Sequence, residues 1–578
     1  MNRLTQKTYP DTTTVNYTYD NDSRLTQVTD PTGTYQFTFD NMGRLTQAVS
    51  QYSFLTGRNF TTAYTYDKAS NRTGFTDPEN GSTSYAYDTL NRLQTLTPPT
   101  AFSGSGSFGF SYDALSRRTQ MTRPNSITTN YSYDNLSRLL SVLHQSGSTT
   151  LDGASYTVDN AGNRTAKTDQ YANVTSNYTY DPIYELTQVT QATNTTESYT
   201  FDAVGNRLSS LGVPSYTNNS SNELTSTPST TYTYDANGNA ATDVNSSGTT
   251  TFAWDFENRL SSVTLPGTGG TVSFKYDPFG RRIEKVSPTT TSIFAYDGDN
   301  LIEEANSAGT VVARYSQGLN IDEPLAMLRS STTSYYDADG LGSITSLSSS
   351  AGSLAQTYGY DSFGKQTSSS GSLTNPFQYT ARESDTETGL YYYRARYYDP
   401  TIGRFVREDP IRFRTGIDFY SYVRNRPTGL RDPKGRVAWG GGAYVSGMAG
   451  LLTIGGGAEG SCMIVGDTAG NTGLLCCAGL GGGYVAGGAA SGGVTTAICP
   501  TCATICDMEG GSVQGEGFGA TGPGVAAGGG ASVDMKNATI FANAGPAAGE
   551  GGGVVLLATS CKLIIGGKRC KNCPLSKK

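Results

Sequence analysis

An aromatic residue, a spacer, a second aromatic or Val, and an Asp recur fifteen times in this chain, once with Ser334 in the first place, beginning with Tyr17-Thr18-Tyr19-Asp20. Later copies end at Asp40, Asp67, Asp88, Asp113, Asp134, Asp159, Asp181, Asp202, Asp235, Asp255, Asp277, Asp297, Asp337 and Asp361, most of them 20 to 27 residues apart. A fixed period of this size marks a repeat architecture, whose units bury their apolar faces only against one another. Most of the chain is therefore one continuous scaffold, and chemistry is to be sought where the repeats end.

One repeat reads as a β-hairpin. The arm Tyr17 to Tyr19 alternates aromatic and small polar residues with a period of two, the pattern of a half-buried strand. Asp20-Asn21-Asp22-Ser23 is a turn cluster, because short polar side chains bond their own backbone there. Arg24-Leu25-Thr26-Gln27-Val28 alternates again and returns as the second strand. A lone hairpin is marginal in water, whereas stacked hairpins share the Tyr and Leu face and form a curved sheet or shell. The Tyr residues then pair across strands and each Asp closes its turn. A rival reading of Asp235-Ala236-Asn237-Gly238-Asn239 as a calcium loop lacks the Glu that ends an EF-hand loop.

Composition narrows the functions. The net charge of −7 and the charged fraction of 16% carry no basic stripe, so no nucleic acid is expected on the shell. The one histidine, His144, falls in a strand-like arm and argues against a multi-histidine metal site or a histidine-based nucleophile system. The chain opens on Arg3-Leu4-Thr5-Gln6, which matches Arg24-Leu25-Thr26-Gln27, so it is expected to start within the array, with no export signal before it.

After Asp361 the composition tightens. Gly389-Leu390-Tyr391-Tyr392-Tyr393-Arg394-Ala395-Arg396-Tyr397-Tyr398-Asp399-Pro400 leads into Gly403-Arg404-Phe405, then Glu408-Asp409-Pro410-Ile411 and Asp432-Pro433-Lys434-Gly435-Arg436. This segment resembles the core that closes the RHS (rearrangement hot spot) family, and the upstream array resembles that family's YD repeats, over about residues 1 to 436. The resemblance implies an all-β fold: a spiralling array of YD-repeat β-hairpins forming a shell or open cocoon (residues 1–361), an RHS repeat-associated core plugging or lining one end (362–436), and a variable C-terminal segment inside (437–578). It also implies a role in interbacterial competition, insecticidal toxin complexes or cell-surface adhesion.

In several members of that family the core cuts the chain just after its last Asp-Pro-x-Gly-Leu, using an aspartate from that motif and one from an earlier copy. Here the two motifs are Asp409-Pro410-Ile411-Arg412-Phe413 and Asp432-Pro433-Lys434-Gly435-Arg436. Arg412, Phe413 and Arg436 replace the family's Gly, Leu and Leu. The expected scissile bond is Arg436–Val437, and the implied activity is that of a single-turnover aspartyl autoprotease. The chemistry suits a carboxylate pair: close aspartates share a proton, so one serves as base to a water and the other as acid. A neighbouring arginine stabilises the developing negative charge, and Arg407 is the nearest in sequence. Without the resemblance, both Asp-Pro pairs read simply as turns.

At Val437 the composition changes abruptly. The last 142 residues hold 37 of the 70 glycines, all nine cysteines and two of the 38 tyrosines. Val437 to Ala458 and Thr468 to Cys506 are uncharged and long enough for membrane segments, but Gly runs and polar residues dilute them. A glycine-rich module of short strands is favoured over a membrane-inserting cargo or a poorly ordered tail. Cys499, Cys502, Cys570 and Cys573 form two C-x-x-C pairs that suit zinc by ligand type but not by spacing; disulfides and free thiols stand beside zinc, and no cofactor is expected elsewhere.

The reading is an encapsulating scaffold with its own C-terminal segment as cargo, secreted or at the surface of a bacterium, with secretion-apparatus or cell-surface partners and a membrane as a target of the tail. Two alternatives stand beside it: a surface or wall-associated adhesin binding glycans through the shell, and a truncated inactive remnant.

Overall fold

The computed structural model describes residues 3–102, 106–412 and 417–436 together with the strands Trp439–Gly440, Glu459–Gly466, Thr472–Gly479, Ser512–Glu516, Gly530–Asp534, Thr539–Ala542 and Thr559–Ile565. It divides into two compact units, 1–449 and 450–578. The described elements of the second unit are two three-stranded antiparallel sheets. No helix among the described residues is long and apolar enough to cross a membrane.

The first unit is an unbroken run of antiparallel hairpins. Strands from Gln6–Thr8 to Arg207–Ser210 form a 19-stranded sheet, and strands from Thr217–Asn218 to Gln366–Gly371 form a 16-stranded one. Each strand pairs with its neighbours in sequence, and the first and last strands of each sheet do not pair, so both sheets stay open.

The motif works as the sequence predicts, with a further link between repeats. Asp40 Oδ1 accepts the amides of Met42 and Arg44 at 2.9 Å, and Oδ2 accepts Arg44 Nε at 2.7 Å. Gly43 sits between them at φ +78°, the left-handed position that completes a type I turn with a bulge. The Arg44 amide and guanidinium hold the Asp40 carboxyl below its usual range. Arg44 then reaches the next hairpin, donating to Asp67 O at 2.8 Å and stacking 4.9 Å from the Tyr66 ring. Tyr66 closes the loop by donating to Leu45 O at 2.8 Å. The same tyrosine-to-backbone bond recurs at Tyr87, Tyr112, Tyr133, Tyr180, Tyr276, Tyr296 and Tyr360. Asp, Arg and the second aromatic are thus a turn lock and a repeat-to-repeat staple. Asp235 takes the same role, accepting the amides of Asn237 and Asn239 and the Asn239 side chain; its carboxylate serves the turn.

Asp297 and Asp337 depart from this rule. In the first, the tight turn Gly298-Asp299 pairs Asp297 with Asn300 inside the ladder. In the second, the turn moves on by two residues to Asp339, which accepts Leu341 and Ser343 amides, with Gly342 at φ +88°. Released from turn duty, both aspartates bind arginines of the first sheet, Arg72 at 2.6 Å and Arg123 at 3.0 Å. The sole histidine, His144, lies in the strand Leu139–Ser146 and packs beside Asp337, 3.5 Å away. Burial holds its pKa below the usual histidine value.

The array coils back on itself after 172 residues at Lys167–Asp339 and after 251 at Arg58–Gly309. The second sheet becomes a middle layer. Ile293 and Ala295 pack with Tyr64 and Phe75 of the first sheet, while Phe294 between them packs with Phe377 and Ala381 of the segment after the array. Tyr335 and Tyr336 divide in the same way. Strand residues alternate sides, so a strand covered on both faces carries apolar residues toward both.

The segment after Gly371 adds four short strands, Glu383–Asp385, Leu390–Tyr393, Arg396–Asp399 and Arg404–Phe405. It meets a series of hairpin turns by donating to their carbonyls. Asn425 reaches Gly205 O at 2.7 Å, Arg404 Asn222 O at 2.6 Å, Tyr420 Gly238 O at 2.7 Å, Tyr392 Gly280 O at 3.1 Å and Tyr398 Phe363 O at 2.6 Å. Arg282 anchors the plug from the array: buried, it pairs with Glu383 at 3.0 Å and with Asp385.

Candidate self-cleavage site

Two Asp-Pro turns bring the sequence-predicted carboxylates together. Pro410 and Pro433 each follow their aspartate, where their fixed φ favours the turn. The Arg412 amide bonds Asp409 O at 3.0 Å, and the Gly435 amide bonds Asp432 O at 3.3 Å. Both closing residues are left-handed, Arg412 at φ +48° and Gly435 at φ +65°. Arg412 therefore takes the conformation expected of the glycine it replaces, at a backbone cost of about 1 kcal/mol. Its side chain is exposed and pairs with Glu408 at 3.3 Å.

Arg396 lies between the two aspartates. Its Nη2 is 3.0 Å from Asp409 Oδ2 and 3.0 Å from Asp432 Oδ2. Its Nε donates to Gly435 O at 2.7 Å and its Nη1 to Phe419 O at 3.0 Å. The guanidinium carbon stands 3.5 Å from the centre of the Phe405 ring. All three charged residues are buried. Burial pushes Arg396 below the ordinary arginine value, and the two carboxylates only partly restore it. The outer oxygens serve the turns: Asp409 Oδ1 accepts the Ile411 amide at 2.9 Å, and Asp432 Oδ1 the Arg436 amide at 2.8 Å.

Arg407, the arginine nearest in sequence, points elsewhere. Its guanidinium bonds the carbonyls of Glu257 and Asn258 in a hairpin turn. Burial, with the neighbouring positive charge of Arg396, pushes its pKa down to about 10. The arginine at the carboxylates is Arg396, thirteen residues before Asp409. Its signal lay in the Tyr-Arg-Ala-Arg-Tyr run, but there nothing distinguishes it from Arg394, which instead bonds Asp322 at 2.7 Å.

Of the remaining predicted positions, Phe413, Val437, Cys499, Cys502, Cys570 and Cys573 lie outside the described residues. Among the described residues no cluster of His, Cys, Asp and Glu suits a metal ion. The strand register in the tail places Cys462 opposite Cys476 and Cys477 opposite Cys561.

Comparison with known proteins fits this architecture. The Teneurin YD-shell family model matches residues 167–427, and the RHS Repeat model matches 2–35 and 22–50. The tRNA nuclease WapA of Bacillus subtilis is 30% identical over 277 residues, 45% of this chain and 12% of WapA. The toxin protein Tse5 of Pseudomonas aeruginosa is 32% identical over 103 residues, 18% of this chain and 8% of Tse5. The chain thus spans a small part of the curated relatives it matches. Among solved structures, TcdB2-TccC3-Cdc42 superposes with a TM-score of 0.65 at 20% identity, over 75% of this chain and 26% of that one. The Photorhabdus luminescens Tc holotoxin pore gives 0.63 at 19% identity, over 76% and 25%. The sequence matches fall on the repeats and run into the segment that follows them, and over these residues the chain is similar to the Teneurin YD-shell and RHS Repeat families.

Proposed function

We propose that this chain is the closing section of an encapsulating shell, and that its plug cuts the chain once, at Arg436–Val437, to detach residues 437–578 as an effector. The observation that carries the reading is Arg396, which bridges two buried carboxylates while its Nε grips the Gly435 carbonyl beside the expected cut. Two carboxylates and one guanidinium sum to −1; a single proton on the pair makes the buried site neutral and gives it one acid and one base. The ionised aspartate takes a proton from a water, whose oxygen bonds to the Arg436 carbonyl carbon. The protonated one gives its proton to the leaving Val437 nitrogen as the C–N bond breaks. Arg396 keeps the pair close and offsets the negative charge that builds on the carbonyl oxygen.

The effector role rests on the toxin and nuclease relatives and on the change in composition at Val437. Delivery outside the producing cell follows the same relatives. The test is intact mass of the purified chain beside Asp409→Asn and Asp432→Asn. A break after Arg436 in the parent, lost in both variants, is the expected result. One uncut chain in all three would remove the cleavage reading.

A further inference from the structure

Where the plug meets the array, two buried arginines face one small cavity. It is lined by Gly205, Arg207 and Tyr216 of the array and by Gly403, Arg404 and Asp418 of the plug, among others, and its volume of about 10 Å³ admits one atom-sized occupant. Arg207 is 9% exposed, yet its Nε and Nη2 have no hydrogen-bond partner. Its guanidinium is packed between the rings of Tyr199 at 4.6 Å and Phe363 at 4.3 Å. Glu197 and Asp361 act on it only from beyond ion-pair distance. Arg404 spends its outer nitrogens on Asn218 Oδ1 and Asn222 O, while its Nε is also buried without a partner. The one carboxylate in the lining, Asp418, stands 3.6 Å from Arg404. Gly403 brings the plug turn against the Arg207 guanidinium, where a Cβ would collide with it.

Within the lining, two guanidiniums therefore share one carboxylate around a small space. A buried cation without a counter-charge is costly, and aromatic faces offset only part of that cost. A neutral water would satisfy donors but leave the charge. We propose that this cavity is a binding site for one monatomic anion of halide size, held by Arg207 and Arg404, which ties the plug to the array. The lining lacks a second carboxylate that would repel the anion, and Asp418 competes with it for Arg404.

The test uses the whole chain. Unfolding midpoints are measured at fixed ionic strength as chloride replaces gluconate, and crystals grown in bromide are examined for anomalous scattering. The expected result is a saturable rise of about 2 °C or more with chloride, and a bromide peak between Arg207 and Arg404. Arg207→Gln should fold and lose the chloride dependence, while Asp418→Asn should reach half-saturation at several-fold lower chloride. Equal midpoints in chloride and gluconate, or a cavity holding water with no bromide peak, would overturn the site. So would chloride dependence retained by Arg207→Gln or an unchanged half-saturation in Asp418→Asn.

Discussion

Arg396 and Asp432 hold one turn from both ends. The arginine bonds the Asp432 carboxylate at 3.0 Å and the Gly435 carbonyl at 2.7 Å, while the other oxygen of Asp432 takes the Arg436 amide at 2.8 Å. The backbone leading into residue 437 is thus gripped by the same groups that carry the proposed chemistry.

Replacing Arg396 separates the two candidate arginines. Arg396→Gln should abolish cleavage and, by leaving two buried carboxylates without their cation, cost about 3–5 kcal/mol of stability. Arg407→Lys keeps a cation on the Glu257 and Asn258 carbonyls and should leave cleavage within about tenfold of the parent. A gel time course after synthesis, beside urea unfolding of each variant, checks both. Equal cleavage by Arg396→Gln and the parent would exclude Arg396 from the chemistry.

Gly435 is a second control on the same turn. Its φ of +65° and the Tyr393 carbonyl against its Cβ position leave no room for alanine. Gly435→Ala should shift the Asp432 turn and slow cleavage at least about tenfold, since small misplacements of reacting groups carry such penalties. Mass spectrometry of the fragments reads the loss directly.

The plug's anchor is Arg282. Arg282→Met leaves Asp385 with Lys285 at 3.2 Å and Glu383 with Arg382 at 3.4 Å as their remaining cations, a loss of about 2–3 kcal/mol. Limited proteolysis should then open the 383–405 strands before it reaches the hairpins. If the array is digested first, the plug is held mainly by other contacts.

The repeat staple has its own measurable worth. Tyr276 is buried and donates to Leu260 O at 2.7 Å. Tyr276→Phe should cost about 1–2 kcal/mol by removing that bond together with the one to the Tyr397 hydroxyl at 3.0 Å, visible as a lowered urea midpoint with an unchanged slope.

Acid groups between the layers predict a pH dependence. Burial pushes Glu303 up to about 7, against the pull of Arg58. Burial, with Glu197 nearby, pushes Asp361 up to about 7. Both folded values lie above the unfolded ones, so the folded state binds these protons more tightly. Their contribution is full below about pH 4 and is lost as pH rises through about 7. The double variant Glu303→Gln, Asp361→Asn should therefore lose less stability than the parent between pH 5 and 7.5. Parallel stability curves would show that neither group titrates in that window.

By itself the sequence determined the hairpins, their antiparallel order and the two aspartates of the plug. Each of these rests on interactions within a few residues: alternation of side chains along a strand, and Asp accepting amides two and four residues on. The tertiary structure decided the rest. It made the second sheet a middle layer, a contact between residues 172 to 251 positions apart that no local period encodes. It turned Asp297 and Asp337 from turn residues into partners of Arg72 and Arg123, because the opposite sheet supplies the arginines. It also chose Arg396 over Arg407: nearness in the chain puts Arg407 beside Asp409, but only the packing of the plug's strands against the two Asp-Pro turns brings a guanidinium between both carboxylates.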